Sequence, residues 1–506
     1  MSNFPSGWQS AKLGALCEPS QYGYTAKAGA SGNIRFLRTT DITSGPIEWS
    51  SVPFCDTDDA TREKYLLRDG DIVISRAGSV GFSCLIRQPS PSVFASYLIR
   101  FRPLIDADYF KYFLLTPNYW NAIAEQSLGI AVQNVNASNL SEITVSVAPA
   151  AEQTRIVAKL EELLSDLDAG VAELKVAQKK LARYRQSLLK SAVEGALTAA
   201  WRAQHTPTES GAQLLKRILT ERRARWEAKQ LAKFKEHSKT PPKDWQKNYP
   251  EPVQPDTTGL PQLPEGWVWA SVDQLSESVR NGLSKTPNTQ ERGFRILKIN
   301  AVRSMSVNFN AVKHIEINSA EASDYWVESG DVLATRYNGS VDLLGVFGMV
   351  REVKERTLHP DKLIRMKPIL GAGLGAWMEV CGNVGRSRQH LVSRVKTTAG
   401  QTGISGEDLK KTPIPLPPAL EQEVVIAGLD ECLQAIHELE QPVELGLKQS
   451  TAQRYNILRS AFAGQLVPQD PNDEPASVLL ERIRVERVSR VAVKKPRGRK
   501  SKDALA

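Results

Sequence analysis

One helical pattern occurs twice in this chain, and the repeat fixes the order of everything else. Residues 151–197, AEQTRIVAKLEELLSDLDAGVAELKVAQKKLARYRQSLLKSAVEGAL, set Ile156, Leu160, Leu163, Leu167, Leu174, Leu181 and Leu188 at steps of four and three that become steps of seven. That is the narrow seam of a coiled coil, not the broad stripe of a core helix. Helical throughout, such a stretch reaches roughly 70 Å at 1.5 Å per residue. Adding 269 to the numbering lands on residues 420–466 without a gap, pairing Pro149 with Pro418, Glu152 with Glu421, Gln153 with Gln422, Arg185 with Arg454, Gly195 with Gly464 and Leu197 with Leu466. Pro442 stands inside the second copy and predicts a kink or interruption there, because proline lacks the N–H and crowds the preceding turn.

The stretches before the two helices are also copies. PSGW at Pro5–Trp8 returns as PEGW at Pro264–Trp267, IRFLRTTDI as FRILKINAV, and KYLLRDGDIVISR as DYWVESGDVLATR, pairing Arg38 with Lys298, Asp71 with Asp331 and Arg76 with Arg336. Short β-like runs (Ile34–Leu37, Asp71–Ile74, Cys84–Ile86, Tyr97–Phe101, Ile143–Val147), broken by Gly, Pro, Ser and Asp, and a helix over Ala107–Glu125 predict an α+β domain. At 506 residues the chain exceeds what one core supports. We divide it into a globular domain (1–148), a central long helix (149–205), a basic helix with a proline-rich linker (206–263), a second globular domain (264–417), a second long helix (418–468), and a basic helix with a disordered basic tail (469–506). A tandem duplication of this kind predicts a pseudo-two-fold arrangement.

Two segments fall outside the simple repeat. LLKRILTERRARWEAKQLAKFKE carries eight Lys or Arg, with Leu214, Leu215, Ile218 and Leu219 as a short apolar face. PPKDWQKNYPEPVQPDTTGLPQLP then holds seven prolines and reads as an extended, semi-stiff linker. The tail KKPRGRKSK reads as a solvated basic run, although its PRGRK is similar to the flat R-G-R core that enters an A·T minor groove.

No catalytic arrangement stands out: there is no phosphate loop, no H-E-x-x-H and no G-x-S-x-G. The six histidines lack metal-ligand spacing, and the five cysteines are scattered without C-x-x-C. No run is long and apolar enough for a membrane span, and no signal peptide opens the chain, so a cytoplasmic protein is expected. The 65 Lys and Arg against 56 Asp and Glu give a charge of +9, which favours a polyanionic partner. A binding protein is therefore expected rather than an enzyme. The repeated hairpins LRDGDIVISRAGSVG and VESGDVLATRYNGSVDLLG release an Arg from a buried strand into a turn of small residues, where backbone can approach a ligand closely. Arg76, Ser79, Arg336, Asn338 and Ser340, with Arg38, Thr39, Lys298 and Asn300 from the other repeated strand end, offer donors for phosphate oxygens and base edges. The bland alternative is a hairpin whose Arg pairs with a nearby carboxylate.

With its duplicated blocks, the PxxEQ start of each long helix and the S-A-x-x-G-x-L end at Ser191–Leu197 and Ser460–Leu466, the chain resembles the specificity subunits of type I restriction-modification systems. The resemblance implies an α+β architecture of two homologous target-recognition domains separated by two long antiparallel helices that form a coiled coil. It implies that each domain reads one half of a bipartite asymmetric site in double-stranded DNA, that the helices set the spacer, and that the chain itself is not catalytic. Its partners would be two methyltransferase (modification) subunits using S-adenosylmethionine, and restriction subunits using ATP and Mg; no cofactor is implied for this chain. The rival reading is a coiled-coil scaffold with two peptide-binding domains and no role on DNA.

Overall fold

The computed structural model describes residues 4–43, 45–127, 134–288, 290–398 and 401–493; the basic run at 494–502, with its PRGRK core, lies outside them. Two compact units emerge, one of residues 1–176 with 443–506 and one of residues 177–442. Each contains one globular domain and part of both long helices.

In the first unit, Ile72–Ser75 (IVIS) is buried along its whole length because it occupies the interior of a four-stranded antiparallel sheet, in the order Gln21–Tyr22, Leu98–Phe101, Ile72–Ser75, Ser83–Leu85. A three-stranded sheet sets Ile34–Leu37 between Phe54–Cys55 and Ser92–Phe94, the latter parallel to it. Gln9–Lys12 pairs with Thr144–Val147, so the domain begins and ends at one place. The single helix expected over Ala107–Glu125 is two, Ala107–Phe113 and Pro117–Ser127. Pro117 occupies the first turn of the second, where a missing N–H costs little, and Thr116 Oγ1 accepts from the Tyr119 N–H at 3.4 Å.

The second unit repeats these sheets strand for strand. Ser276–Asn281, Leu363–Pro368, Val332–Thr335 and Phe347–Met349 form the four-stranded sheet, Val312–Ile315, Phe294–Leu297 and Thr357–Leu358 the three-stranded one, and Val268–Ser271 pairs with Pro413–Leu416. The duplication is thus one of topology as well as sequence. The repeated Gly-Asp is structural in both copies: Asp71 and Asp331 are buried and accept the Arg68 N–H (2.9 Å) and the Glu328 N–H (2.8 Å), pinning the turn before the central strand.

Each long helix, Ala150–Val193 and Ala419–Phe462, has 44 residues. Within the first unit Asp168 pairs with Arg454, and Leu174 packs on Gly446, whose missing Cβ would lie 3.1 Å from it; the numbers rise on one helix as they fall on the other, so the helices run antiparallel. Within the second unit Arg185 meets Glu440 at 2.8 Å, and Leu188, Leu189, Ala192 and Val193 share a core with Val425, Leu429 and Ile436. Ile156, Leu160 and Leu188 are buried, whereas Leu163, Leu167, Leu174 and Leu181 are only half-buried. That is the expected outcome where two helices cover each other on one side only. The interruption expected at Pro442 does not occur. Pro442 is exposed, so the carbonyl its ring leaves without a donor can face water and the helix continues through it.

The motifs that flank the helices meet in one junction per unit. Trp8 Nε1 donates to Glu152 Oε2 at 3.0 Å, and Trp267 Nε1 to Glu421 Oε2 at 2.8 Å. Gly464 and Gly195 end the opposite helices in left-handed conformation (φ 71° and 74°), and a Cβ on either would overlap Pro5 or Pro264. The helix that follows each junction starts by donating to the glycine of PxGW, Ala476 N to Gly7 O at 2.8 Å and Gly211 N to Gly266 O at 2.7 Å. PxGW, PxxEQ and S-A-x-x-G-x-L are therefore parts of one device.

In the second unit the proline-rich stretch expected as an extended linker is docked. The basic helix Gly211–Glu236 opens with a Ser210 capping box and buries Leu214 and Ile218. Arg222, also buried, donates to Ser276 O (3.1 Å), Tyr249 Oη (2.7 Å) and Pro250 O (3.0 Å). Trp226 stacks on Trp245 at 5.7 Å, and Val253 N–H reaches Asp273 Oδ2 at 2.9 Å, so the proline-rich segment is strapped to the helix and the domain. Proline content excluded a long helix or interior strand, leaving one 3-10 turn at Trp245–Asn248, but it did not exclude docking.

One buried group gives the second domain a pH dependence. His359 Nδ1 lies 2.8 Å from Tyr325 O, its Nε2 is buried with no partner among the described residues, and burial pulls the imidazole down to about 4. Because the folded value is below the ordinary 6.5, the unfolded chain binds the proton first, and stability is lost as pH falls from 6.5 through 4. The loss approaches about 3 kcal/mol at 1.36 kcal/mol per unit. Relative to His359→Gln, the wild-type urea midpoint should fall between pH 7 and 4.5; a constant difference would exclude this account.

Candidate nucleic-acid interface

In the second domain the strand ends converge on an open cleft of about 800 Å³. One wall is Lys298–Asn300, at the end of Phe294–Leu297; another is Tyr337–Gly339, in the turn after Val332–Thr335. Ser284–Pro287, Lys313, Pro360–Lys362 and Thr402 complete it. Lys298 and Asn300 are thus brought together with Asn338, which is far from them in sequence. Ser340 is exposed on the same turn, its N–H held by Asn338 Oδ1 at 3.1 Å. Arg336 flanks the cleft, its guanidinium 4.7 Å from the centre of the Tyr337 ring, with Lys362 Nζ at 5.2 Å from that ring.

The cleft is basic. Four lysines, Lys285, Lys298, Lys313 and Lys362, line it against Asp361 as its one acid. Lys285 is engaged by Glu321 at 2.7 Å, whereas Lys298 and Lys313 are exposed with no ion-pair partner among the described residues. Among those residues no cluster of His, Cys, Asp or Glu could hold a metal ion. Lysine ammonium groups beside amide and hydroxyl side chains and an aromatic face suit phosphate oxygens and base edges.

The first domain builds the same place from the same backbone bonds. Arg76 N donates to Tyr97 O (2.9 Å) as Arg336 N does to Lys362 O (2.8 Å), and Arg76 O accepts from Val135 N (3.0 Å) as Arg336 O does from Ile404 N (3.0 Å). Gly23 and Gly282 pass against the carbonyls of Ala95 and Pro360, where a Cβ would overlap. The side chains differ. Arg76 lies over Tyr22 at 4.9 Å and donates to Asn134 Oδ1 at 3.4 Å. Neither Arg76 nor Arg336 pairs with a carboxylate among the described residues; each rests on a tyrosine instead. Ser79 is half-buried in the turn. Arg38 is clamped by Asp41, at 2.8 and 3.1 Å, and that hydrogen bonding holds its guanidinium pKa above the ordinary value. Thr39 turns its hydroxyl inward, with no partner among the described residues. In the second copy Ala301 replaces Asp41, which leaves Lys298 unclamped.

Sequence reading missed Tyr22, Tyr97, Lys285, Lys313, Tyr337 and Lys362. Tyr337 adjoins Arg336 and could have been found; Tyr97 and Lys362 reach the site only through sheet pairing.

Residues 5–174 match the family model described as the type I restriction modification DNA specificity domain. The EcoKI specificity subunit of Escherichia coli K12 is 27% identical over 471 residues, 90% of this chain and 89% of that one. The StySPI specificity subunit of Salmonella potsdam is 24% identical over 503 residues, 96% of each. Over most of its length this chain is thus similar to type I restriction enzyme specificity subunits. A chain from a solved type I restriction-modification complex shares its fold, with a TM-score of 0.55 at 15% identity, covering 91% of this chain and 99% of that one. No helix among the described residues is long and apolar enough to cross a membrane.

Proposed function

We propose that this chain is the non-catalytic, DNA-reading subunit of a type I restriction-modification complex, each globular domain taking one half of a bipartite site in double-stranded DNA. One observation carries the reading: the repeated strand ends and turns converge on one basic, open cleft in the second domain and on its topological counterpart in the first, on matched backbone with different side chains. A shared scaffold with distinct reading groups suits an asymmetric site. The paired long helices set the spacer between half-sites and offer the surface on which two modification subunits dock; restriction subunits complete the assembly. S-adenosylmethionine, ATP and Mg belong to those partners, and the complex works in the cytoplasm.

Exchanging residues 1–148 for the matching block of a relative, then sequencing methylated adenines, tests the division of labour. One half of the motif should change; a change in both or neither would refute it. Four residues added to each long helix, about 6 Å at 1.5 Å per residue, should lengthen the spacer by about two base pairs at 3.4 Å each. An unaltered spacer would exclude the helices as its ruler. A peptide-binding scaffold would show no salt-sensitive retention of duplex DNA.

A further inference from the structure

The basic helix runs alongside the strand Ser276–Asn281 and in the same direction. Arg222 donates to Ser276 O, Arg225 and Lys229 reach Glu277, and Lys233 lies near enough to Asp324, the partner of Arg280, to lower its carboxyl pKa behind the larger effect of Arg280 itself. Past Asn281 the strand leads through Gly282 and Leu283 into Ser284–Pro287, a wall of the cleft. The C-terminal end of the helix is therefore its cleft-ward end. That end carries the larger unpaired charge: Lys233, Lys235, Lys239 and Lys243 are exposed with no ion-pair partner among the described residues, against one such acid, Glu236, whereas toward the other end only Lys216 is unpaired and Arg217, Arg223, Arg225 and Lys229 are paired with glutamates.

The turn that carries these lysines is held in place. Trp245 stacks on Trp226 at 5.7 Å and meets Phe234 edge-on at 6.0 Å, and Tyr249 closes on Trp226 at 5.4 Å. An aromatic clip folds the chain back on the helix, so the backbone that bears these lysines is held as one promontory. Unpaired lysines at the cleft-ward end of the helix complement a polyanion, and they carry no planar or bidentate group with which to distinguish bases.

We infer that this promontory, Lys233 to Lys243, is a sequence-independent contact for the phosphodiester backbone of duplex DNA, extending the cleft of the second domain beyond the bases it reads. The inference rests on the DNA-reading function proposed above. Its test is the quadruple variant Lys233→Gln, Lys235→Gln, Lys239→Gln, Lys243→Gln, assembled with the modification subunits and titrated with duplex carrying the methylated motif from low to high salt. The slope of log binding constant against log salt should become shallower by about 3 to 4, at about 0.9 per phosphate neutralised, while the methylated motif and the assembly stay unchanged. The matching quadruple Lys→Arg variant should keep the wild-type slope, which shows that charge is what matters. An unchanged slope in the Gln variant overturns the inference, as does loss of assembly with the slope intact, which would make the promontory a protein-docking surface. A wild-type complex with no preference for its motif would instead overturn the DNA-reading function.

Discussion

Glu421→Ala will unfold the second junction locally and cost about 3–5 kcal/mol, the range for stranding one partner of a buried ion pair. The Glu421 carboxylate is buried and accepts from Trp267 Nε1 (2.8 Å), Thr198 Oγ1 (2.7 Å) and Arg202 Nε (3.0 Å). Truncation leaves a partly buried guanidinium and two buried polar groups with nothing to meet. Glu152→Ala at the first junction should cost less, about 1–3 kcal/mol, because that carboxylate, lifted above its ordinary pKa by burial, accepts from the neutral donors Trp8 (3.0 Å) and Gln469 (2.7 Å). Hydrogen exchange on the intact complex reads the difference directly: protection should fall at 195–202 and 264–271 in Glu421→Ala. Equal losses in the two variants would show that the guanidinium does not set the balance.

Lys298→Ala will weaken binding to the cognate site by about 1–3 kcal/mol, roughly 5- to 150-fold, the scale of a good base or phosphate contact. Arg38→Ala, its counterpart, should do less harm to recognition, because the Arg38 guanidinium already spends two donors on Asp41. Asp41→Ala should therefore strengthen binding at the first half-site by freeing that group. Binding measured on duplexes mutated in one half-site at a time resolves the two domains. If Arg38→Ala proved the more damaging, the clamp would be a positioning device instead of a competitor.

The contrast between Arg38 and Lys298 was legible in the sequence, since Asp41 and Ala301 stand three residues away and i,i+3 neighbours in a first turn meet. So was the repeat, because helical spacing is a local property. Tyr97 and Lys362 were not legible: they meet Arg76 and Arg336 through backbone hydrogen bonds, which no window along the chain contains. That the proline-rich stretch docks was not legible for the same reason. Trp226, Trp245 and Tyr249 hold it through contacts that composition does not encode. At Pro442 the local rule was sound, but the exposure that renders the lost hydrogen bond harmless depends on the partner helix.

The junctions also set a timetable for synthesis. Domains commonly fold from the N-terminus as they leave the ribosome. Here the first domain cannot close its junction until Gly464, Gln469 and Ala476 exist, whereas everything in the 177–442 unit is made by residue 442. The nascent chain thus completes its second unit first, and the domain that emerges earliest waits longest for its last contacts.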